Sequence, residues 1–382
     1  AGSGKTKVLI DRILRLLLAG VKPETILCLT YTKAAAAEME NRLKQIVRKW
    51  VIMDDDALKE QLIELVGNQI GDIDDLMAFS RTLFARLLQV KGGFQMMTIH
   101  SFCESLLRRF PLESGVSPSF EIIEETQSKF LLKNTFYKIV SQPQYEQDLF
   151  VLSEYVSEKT LFELLENVQK DQSKMEQLLS YMSFESLKDK IYTTLGVHLA
   201  DTEEKFQKDA FPDDDFDALK KKYLTKSGTI LADIQNAGGQ PLEEAKKILS
   251  VIEKINALHI SKATCALLHI MLEVFKQFSL IKQNKGVLDY ADLIEKTNNL
   301  LSSNASTAWV LYKLDGGLDH ILLDEAQDTS PEQWQIIKAI TEEFFSGDGR
   351  KENKLRTLFV VGDKKQSIYR FQGADAREFE KM

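Results

Sequence analysis

At 382 residues with 44% hydrophobic content, the chain is long enough for two or three domains with ordinary globular cores. Its 49 Lys and Arg against 57 Asp and Glu leave a net charge of −8, which excludes a global basic footprint; any nucleic-acid contact must be local. No segment approaches the roughly 20 uninterrupted apolar residues that a membrane span needs, and Cys28, Cys103 and Cys265 lack the number and spacing of a disulfide framework or metal site, which fits a reducing, cytoplasmic compartment.

The chain begins within a phosphate-binding pattern. Ala1-Gly2-Ser3-Gly4-Lys5-Thr6 is the back half of G-x-x-x-x-G-K-[ST], whose first glycine would fall two residues before Ala1. The chain is therefore read as an excerpt of a longer protein, and a targeting signal cannot be judged from it. Gly2, Ser3 and Gly4 turn backbone N–H groups toward phosphate, Lys5 supplies a point charge to it, and the Thr6 hydroxyl suits Mg²⁺. Lys7–Ala19 is predicted as the helix whose N-terminus helps hold the anion. Ile26–Thr30 reads as a short buried strand after a turn at Lys22-Pro23-Glu24, and Ala34–Trp50 as a second helix. A similar unit recurs at Gln95–Ile99, with a helix through Cys103–Phe110 that stops at Pro111.

From about Gln127 to Lys282 strand signals nearly vanish and amphipathic, Lys/Glu-rich segments dominate, predicting a helical insertion. The acidic runs Asp54–Asp56 and Pro212–Asp217 read as solvated loops or helix starts, and His198, His259 and His269 as ordinary helical histidines rather than ligands. Near the end, Ile321–Leu323 and Leu358–Val361 are apolar runs terminating in acidic residues, as buried parallel strands delivering side chains to a site do. Asp324 then suits metal binding and Glu325 the orientation or deprotonation of an attacking water.

Five ordered blocks carry a resemblance. Leu323-Asp324-Glu325-Ala326-Gln327-Asp328 resembles the D-E-x-Q-D signature of UvrD/RecB-type superfamily 1 DNA helicases, and Leu29–Met39 resembles their motif Ia. Thr98–Cys103 resembles their T-x-H-S-F block, Leu288–Leu293 their D-[FY]-x-D-L segment, and Val361–Asp375 their motif III. The alanine run after Lys33, the helical insert and Tyr369–Gly373 look most like the AddA helicase-nuclease subunits of double-strand break repair.

The resemblance implies an α/β, RecA-like P-loop NTPase with a parallel sheet, interrupted by a large mostly α-helical insertion. The expected divisions are 1–126 for the first part of the motor, with a helical insert near 50–90; 127–282 for the insertion; and 283–382 for the second part. It also implies ATP and Mg²⁺ as cofactors, single-stranded DNA and duplex ends as partners, and a second subunit of AddB type. By resemblance Gln366 senses nucleotide and couples it to the DNA groove, while Tyr369 and Phe371 offer stacking faces. Tyr31 does the same from the other side, and Thr30, Thr32, Thr98, His100 and Ser101 suit gripping of the sugar-phosphate backbone. Phe102, on an apolar helix face, reads as core. Many relatives have arginine where this chain has Gln372. A UvrD-like helicase without nuclease, and a nucleotide-binding DNA scaffold without turnover, remain as alternatives. The second motor domain, its arginines and any exonuclease domain are expected outside the excerpt, which alone should show little DNA-stimulated ATPase.

Overall fold

The computed structural model describes residues 4–67, 72–90, 93–169, 175, 181–302, 307–315, 317–345 and 355–363. The chain divides into two compact units, one formed by residues 1–122 with 288–382, the other by residues 123–287.

The first unit is built on a parallel sheet of β1 (Ile26–Thr30), β2 (Met96–Thr98), β3 (His320–Leu323) and β4 (Thr357–Val360), in the order β2-β1-β3-β4. The register sets Cys28 against both Met96 and Leu322, and Leu323 against Val360. Side chains alternate across the sheet, so both faces need cover. Ile26, Cys28 and Leu322 face a core shared with α1 (Lys5–Leu18), α2 (Lys33–Ile52), α3 (Asp55–Val66) and α4 (Ile73–Leu88). Leu27, Leu29, Ile321 and Leu323 face the opposite core, shared with α5 (Ile99–Arg109), α6 (Tyr290–Ser302), α7 (Thr307–Asp315) and α8 (Pro331–Phe345). Phe102 is buried there, as its spacing predicts. The result is a helix–sheet–helix sandwich.

Two helices start earlier than the periodicity suggests, because their caps lie further upstream. Gly4, at φ 71°, is the N-cap of α1, and the left-handed backbone there is one that glycine adopts without strain. Thr98 caps α5 by accepting from the Ser101 N–H at 3.2 Å, so the helix begins at Ile99 rather than Cys103. Asp54 caps α3, which accounts for that acidic run as a helix start.

The second unit is helical apart from an isolated bridge between Leu224 and Ile230 among its described residues. Its axis is the 47-residue helix Gly239–Lys285, about 70 Å long at 1.5 Å per residue. Three separate apolar clusters lie along it. One joins Phe136, Leu165, Val274 and Phe278; a second joins Phe216, Tyr223, Ala245 and Ile248; a small third joins Tyr192, Val197, Leu258 and Cys265. His269 pairs with Asp148 at 2.6 Å and His259 with Glu203 at 2.7 Å, so both are satisfied side chains. Asp215 caps the helix Phe216–Tyr223, a further acidic run resolved as a helix start.

By length and composition Gly239–Lys285 is long and apolar enough to cross a membrane, which corrects the expectation that no such segment exists. Asn256, His259, Ser261 and Lys262 interrupt its apolar run and hide it from a count of consecutive residues. Its apolar residues Ile270, Met271, Val274 and Phe278 are buried in this unit's own core.

Arg81 ties the helical layer of the first unit together. Its guanidinium donates to the carbonyls of Trp50 and Val51 at 3.0 Å each, to Met53 O at 2.8 Å and to Asp55 Oδ1 at 2.7 Å, satisfying the C-terminal end of α2. Arg81→Ala is expected to destabilise this unit by about 1–2 kcal/mol. Trp50, Trp309 and Trp334 all lie in the unit, so tryptophan emission during urea unfolding reads the loss directly. An unchanged unfolding midpoint would show that solvent replaces all four bonds at no cost.

Candidate active site

Chemistry-bearing residues collect where the parallel strands end. Tyr31 and Thr32 follow β1, His100 and Ser101 follow β2, Asp324 and Glu325 follow β3, and residues 361–363 follow β4. In open α/β sheets ligands bind at this carboxyl edge. The N-terminus of α1 faces the same edge through Lys5, whose ammonium is hydrogen-bonded and ion-paired to the Glu325 carboxylate. No acidic residue occupies the first turn of α1, leaving the positive end of the helix dipole for an external anion.

The sheet ladder runs on into the acidic turn. The Asp324 N–H donates to Leu29 O and the Val361 N–H to Leu323 O, each at 2.9 Å, and the Ala326 N–H donates to Val361 O at 3.0 Å. Between these fixed points Glu325 takes φ 52° and ψ 43°, the one non-glycine residue with positive φ among the described residues. That conformation costs on the order of 1–2 kcal/mol for an L-residue. Ala326–Asp328 then forms a short 3₁₀ turn.

Asp324 is 6% exposed. Burial, and next the neighbouring Glu325 carboxylate, hold its proton affinity above the usual carboxylate range, while the Glu325 N–H at 2.9 Å and the charge of Lys5 pull the other way. A buried carboxylate beside a second one, next to a lysine and a threonine at a helix N-terminus, is a donor set that suits a divalent cation bound with phosphate. Asp328 is also buried, its proton affinity raised by burial and then by Glu325; its Oδ2 accepts from Gln327 at 3.1 Å while its Oδ1 has no hydrogen-bond partner among the described residues.

On the flank formed by β1 and β2 the polar residues divide. Thr30 and Thr98 are buried, and their hydroxyls already have local uses: Thr30 Oγ1 donates to Thr32 O at 3.0 Å, and Thr98 Oγ1 caps α5 and meets Ser101 Oγ at 3.0 Å. A backbone-gripping role read from sequence does not fit those two. Thr32 is exposed even while it caps α2, and Tyr31, His100 and Ser101 are partly exposed. Burial pushes the His100 imidazole below the ordinary histidine value, keeping it neutral at pH 7. Its ring meets Tyr290 edge-on, with centroids 5.2 Å apart and planes at 72°.

Tyr290, 38% exposed, and Gln327 are the residues that reading the sequence missed, although both lie inside quoted blocks. Gly2, Ser3, Gln366, Tyr369 and Phe371 lie outside the described residues.

A family model described as the UvrD/REP helicase N-terminal domain matches residues 1–382. The chain is also similar to proteins from three organisms that are named as ATP-dependent helicase/nuclease subunits (AddA). It is 26% identical over 463 residues to that of Lactobacillus helveticus, covering 99% of the chain and 35% of the relative. It is 26% identical over 430 residues to that of Staphylococcus carnosus, covering 99% and 34%, and 25% over 456 residues to that of Bacillus mycoides, covering 98% and 34%. The chain thus spans about a third of the length of the curated relatives it matches.

The crowding of carboxylates has a cost that can be measured. A carboxyl whose native pKa is raised destabilises the fold above that pKa, and the penalty fades as pH falls toward the unfolded value of 3.8. Asp324→Asn is therefore expected to raise the melting temperature by about 2–4 °C at neutral pH in magnesium-free buffer, with the gain vanishing near pH 4. A lower melting temperature at neutral pH would show that Asp324 stabilises the edge instead.

Proposed function

Because the chain belongs to the UvrD/REP helicase N-terminal domain family, and so has a RecA-like α/β fold, we propose that it is the motor segment of an AddA-type protein that couples ATP hydrolysis to movement on single-stranded DNA in double-strand break repair. The observation that carries this reading is the Lys5–Glu325 pair beside buried Asp324, on the same sheet edge as Tyr31, His100 and Tyr290. Residues 1–126 and 283–382 make up the motor, and 127–282 the helical insertion. Duplex DNA ends are the entry substrate, an AddB-type protein is the second subunit, and the reduced, buried cysteines suit a cytoplasmic setting. None of the residues in this chain is assigned to strand cleavage.

Without nucleotide, Lys5 neutralises Glu325. When nucleotide is present Lys5 exchanges its carboxylate partner for phosphate oxygens, and Glu325 is released to orient a water and accept its proton. Gly2, Ser3 and Gly4 cradle the phosphates through the backbone. Thr6 and Asp324 hold Mg²⁺, which supplies neutralisation of charge on the phosphate oxygens. Gln366 contacts the γ-phosphate.

On the DNA flank, Tyr31, Tyr369, Phe371 and Tyr290 offer faces for bases, and Thr32, His100 and Ser101 meet the sugar-phosphate backbone. None of this reads sequence, as a motor moving on any strand requires. The retained set of Lys5, Thr6, Asp324 and Glu325 argues against a scaffold that has lost turnover.

In the full-length protein, Lys5→Ala should abolish unwinding and Glu325→Gln should slow ATP hydrolysis at least about a hundredfold, with DNA-end binding by gel shift largely retained. Strand separation that persists in either variant would remove the motor reading. Tyr290→Ala should weaken single-stranded DNA binding by roughly 1–3 kcal/mol at unchanged nucleotide affinity, measured by fluorescence anisotropy. Unaltered DNA affinity would reduce Tyr290 to a packing partner of His100.

A further inference from the structure

Gln327 is 1% exposed, yet its side-chain amide is engaged at both ends. Nε2 donates to Glu325 Oε2 at 2.5 Å and to Asp328 Oδ2 at 3.1 Å, while Oε1 accepts from the Asp363 backbone N–H at 2.8 Å. An amide has two donor hydrogens and one acceptor oxygen, so this geometry engages both of its ends. Glu325 Oε2 is also the atom that pairs with Lys5. One buried side chain therefore joins the carboxylate at the end of β3 to the segment leaving β4.

A second observation concerns the far end of this link. A Cβ placed on Gly362 would lie 2.9 Å from Gln327 Oε1, 3.3 Å from the Ala326 Cβ and 3.3 Å from the Gln327 backbone N. Glycine at 362 is what allows the backbone to sit against the amide. The carboxylate end and the glycine end are independent features of one contact.

We propose that Gln327 is a positioning residue that senses the partner of Glu325 and transmits it to residues 361–363. While Lys5 holds Glu325, the amide fixes that carboxylate and the Asp363 N–H in one arrangement. When Lys5 turns to phosphate, Glu325 relies on Gln327 for its placement, and any shift of the carboxylate pulls on the segment after β4 through a bond no water can replace in so buried a site. Gln327 itself does not touch the reacting atoms. The inference rests on the ATP-motor reading above and adds a route by which the state of the fuel site reaches the chain that leads into the motif III-like block.

The test uses the full-length protein with Gln327→Met, which keeps length and removes every bond of the amide, and Gly362→Ala, which pushes the other end of the contact apart. In each, the kcat of DNA-stimulated ATP hydrolysis should fall about tenfold to a hundredfold, with the KM for ATP and the affinity for a fluorescent ADP analogue changed by less than about twofold. The change in single-stranded DNA affinity that a non-hydrolysable ATP analogue produces in the wild type should be lost in both. A retained nucleotide-dependent change in DNA affinity in both variants overturns the inference, as does a parallel loss of nucleotide affinity with that change intact, which is what loosened packing alone would give. If Gln327→Met does not fold, Gly362→Ala decides by the same criteria, since it leaves the bonds to Glu325 and Asp328 available. Wild-type protein without ATPase would sink the motor reading; wild-type ATPase with unaffected variants sinks only the role of Gln327.

Discussion

The ion pair between Lys5 and Glu325 joins residues 320 positions apart, and the rest of the site is arranged around it. It forms because β1 and β3 are parallel neighbours, which brings the helix entered from the phosphate loop and the acidic turn to one edge. Its side chains are 11% and 34% exposed, a range in which desolvation offsets much of the Coulombic gain. Its value lies in placement more than in stability. A lysine that must later meet phosphate is kept charged and aimed, and a glutamate that must later meet water is held out of reach until then. The raised proton affinity of Asp324 and Asp328 has the same origin, since one ammonium stands against three crowded carboxylates.

Much of the sheet was legible in the sequence because buried parallel strands are short, apolar and end in functional residues. Ile26–Thr30 and the runs before Asp324 and after Thr357 could be read on that basis. Helix starts were less legible, since a threonine at a strand end has the same composition whether it grips a ligand or caps the next helix. Thr98 illustrates the ambiguity: its hydroxyl is turned inward to Ser101. The edge-on contact of His100 with Tyr290, and the bonds from Gln327 to Glu325 and Asp363, were not legible, because they depend on which elements the fold brings together. The long helix was hidden for another reason: polar residues that break a linear apolar run leave a helical face continuous.

The acidic balance of the chain bears on how DNA is held. With a net charge of −8, long-range attraction contributes little, and binding must come from stacking and from short-range hydrogen bonds at the strand ends. A neutral His100 fits that pattern, offering a hydrogen bond without adding a charge. Such a grip depends less on ionic strength than one built from phosphate neutralisation.

The helix Gly239–Lys285 carries three apolar clusters whose buried side chains belong to one cluster each, so the helix itself is what joins them. The unit is therefore close to a one-dimensional array: each cluster adds its own local stability, and coupling between clusters is carried mainly by the continuity of helical hydrogen bonds. The small cluster of Tyr192, Val197, Leu258 and Cys265 is the weakest link in such an array. Thermal fluctuations that open it would divide one rod into two shorter ones, giving the unit a joint where its backbone looks most regular.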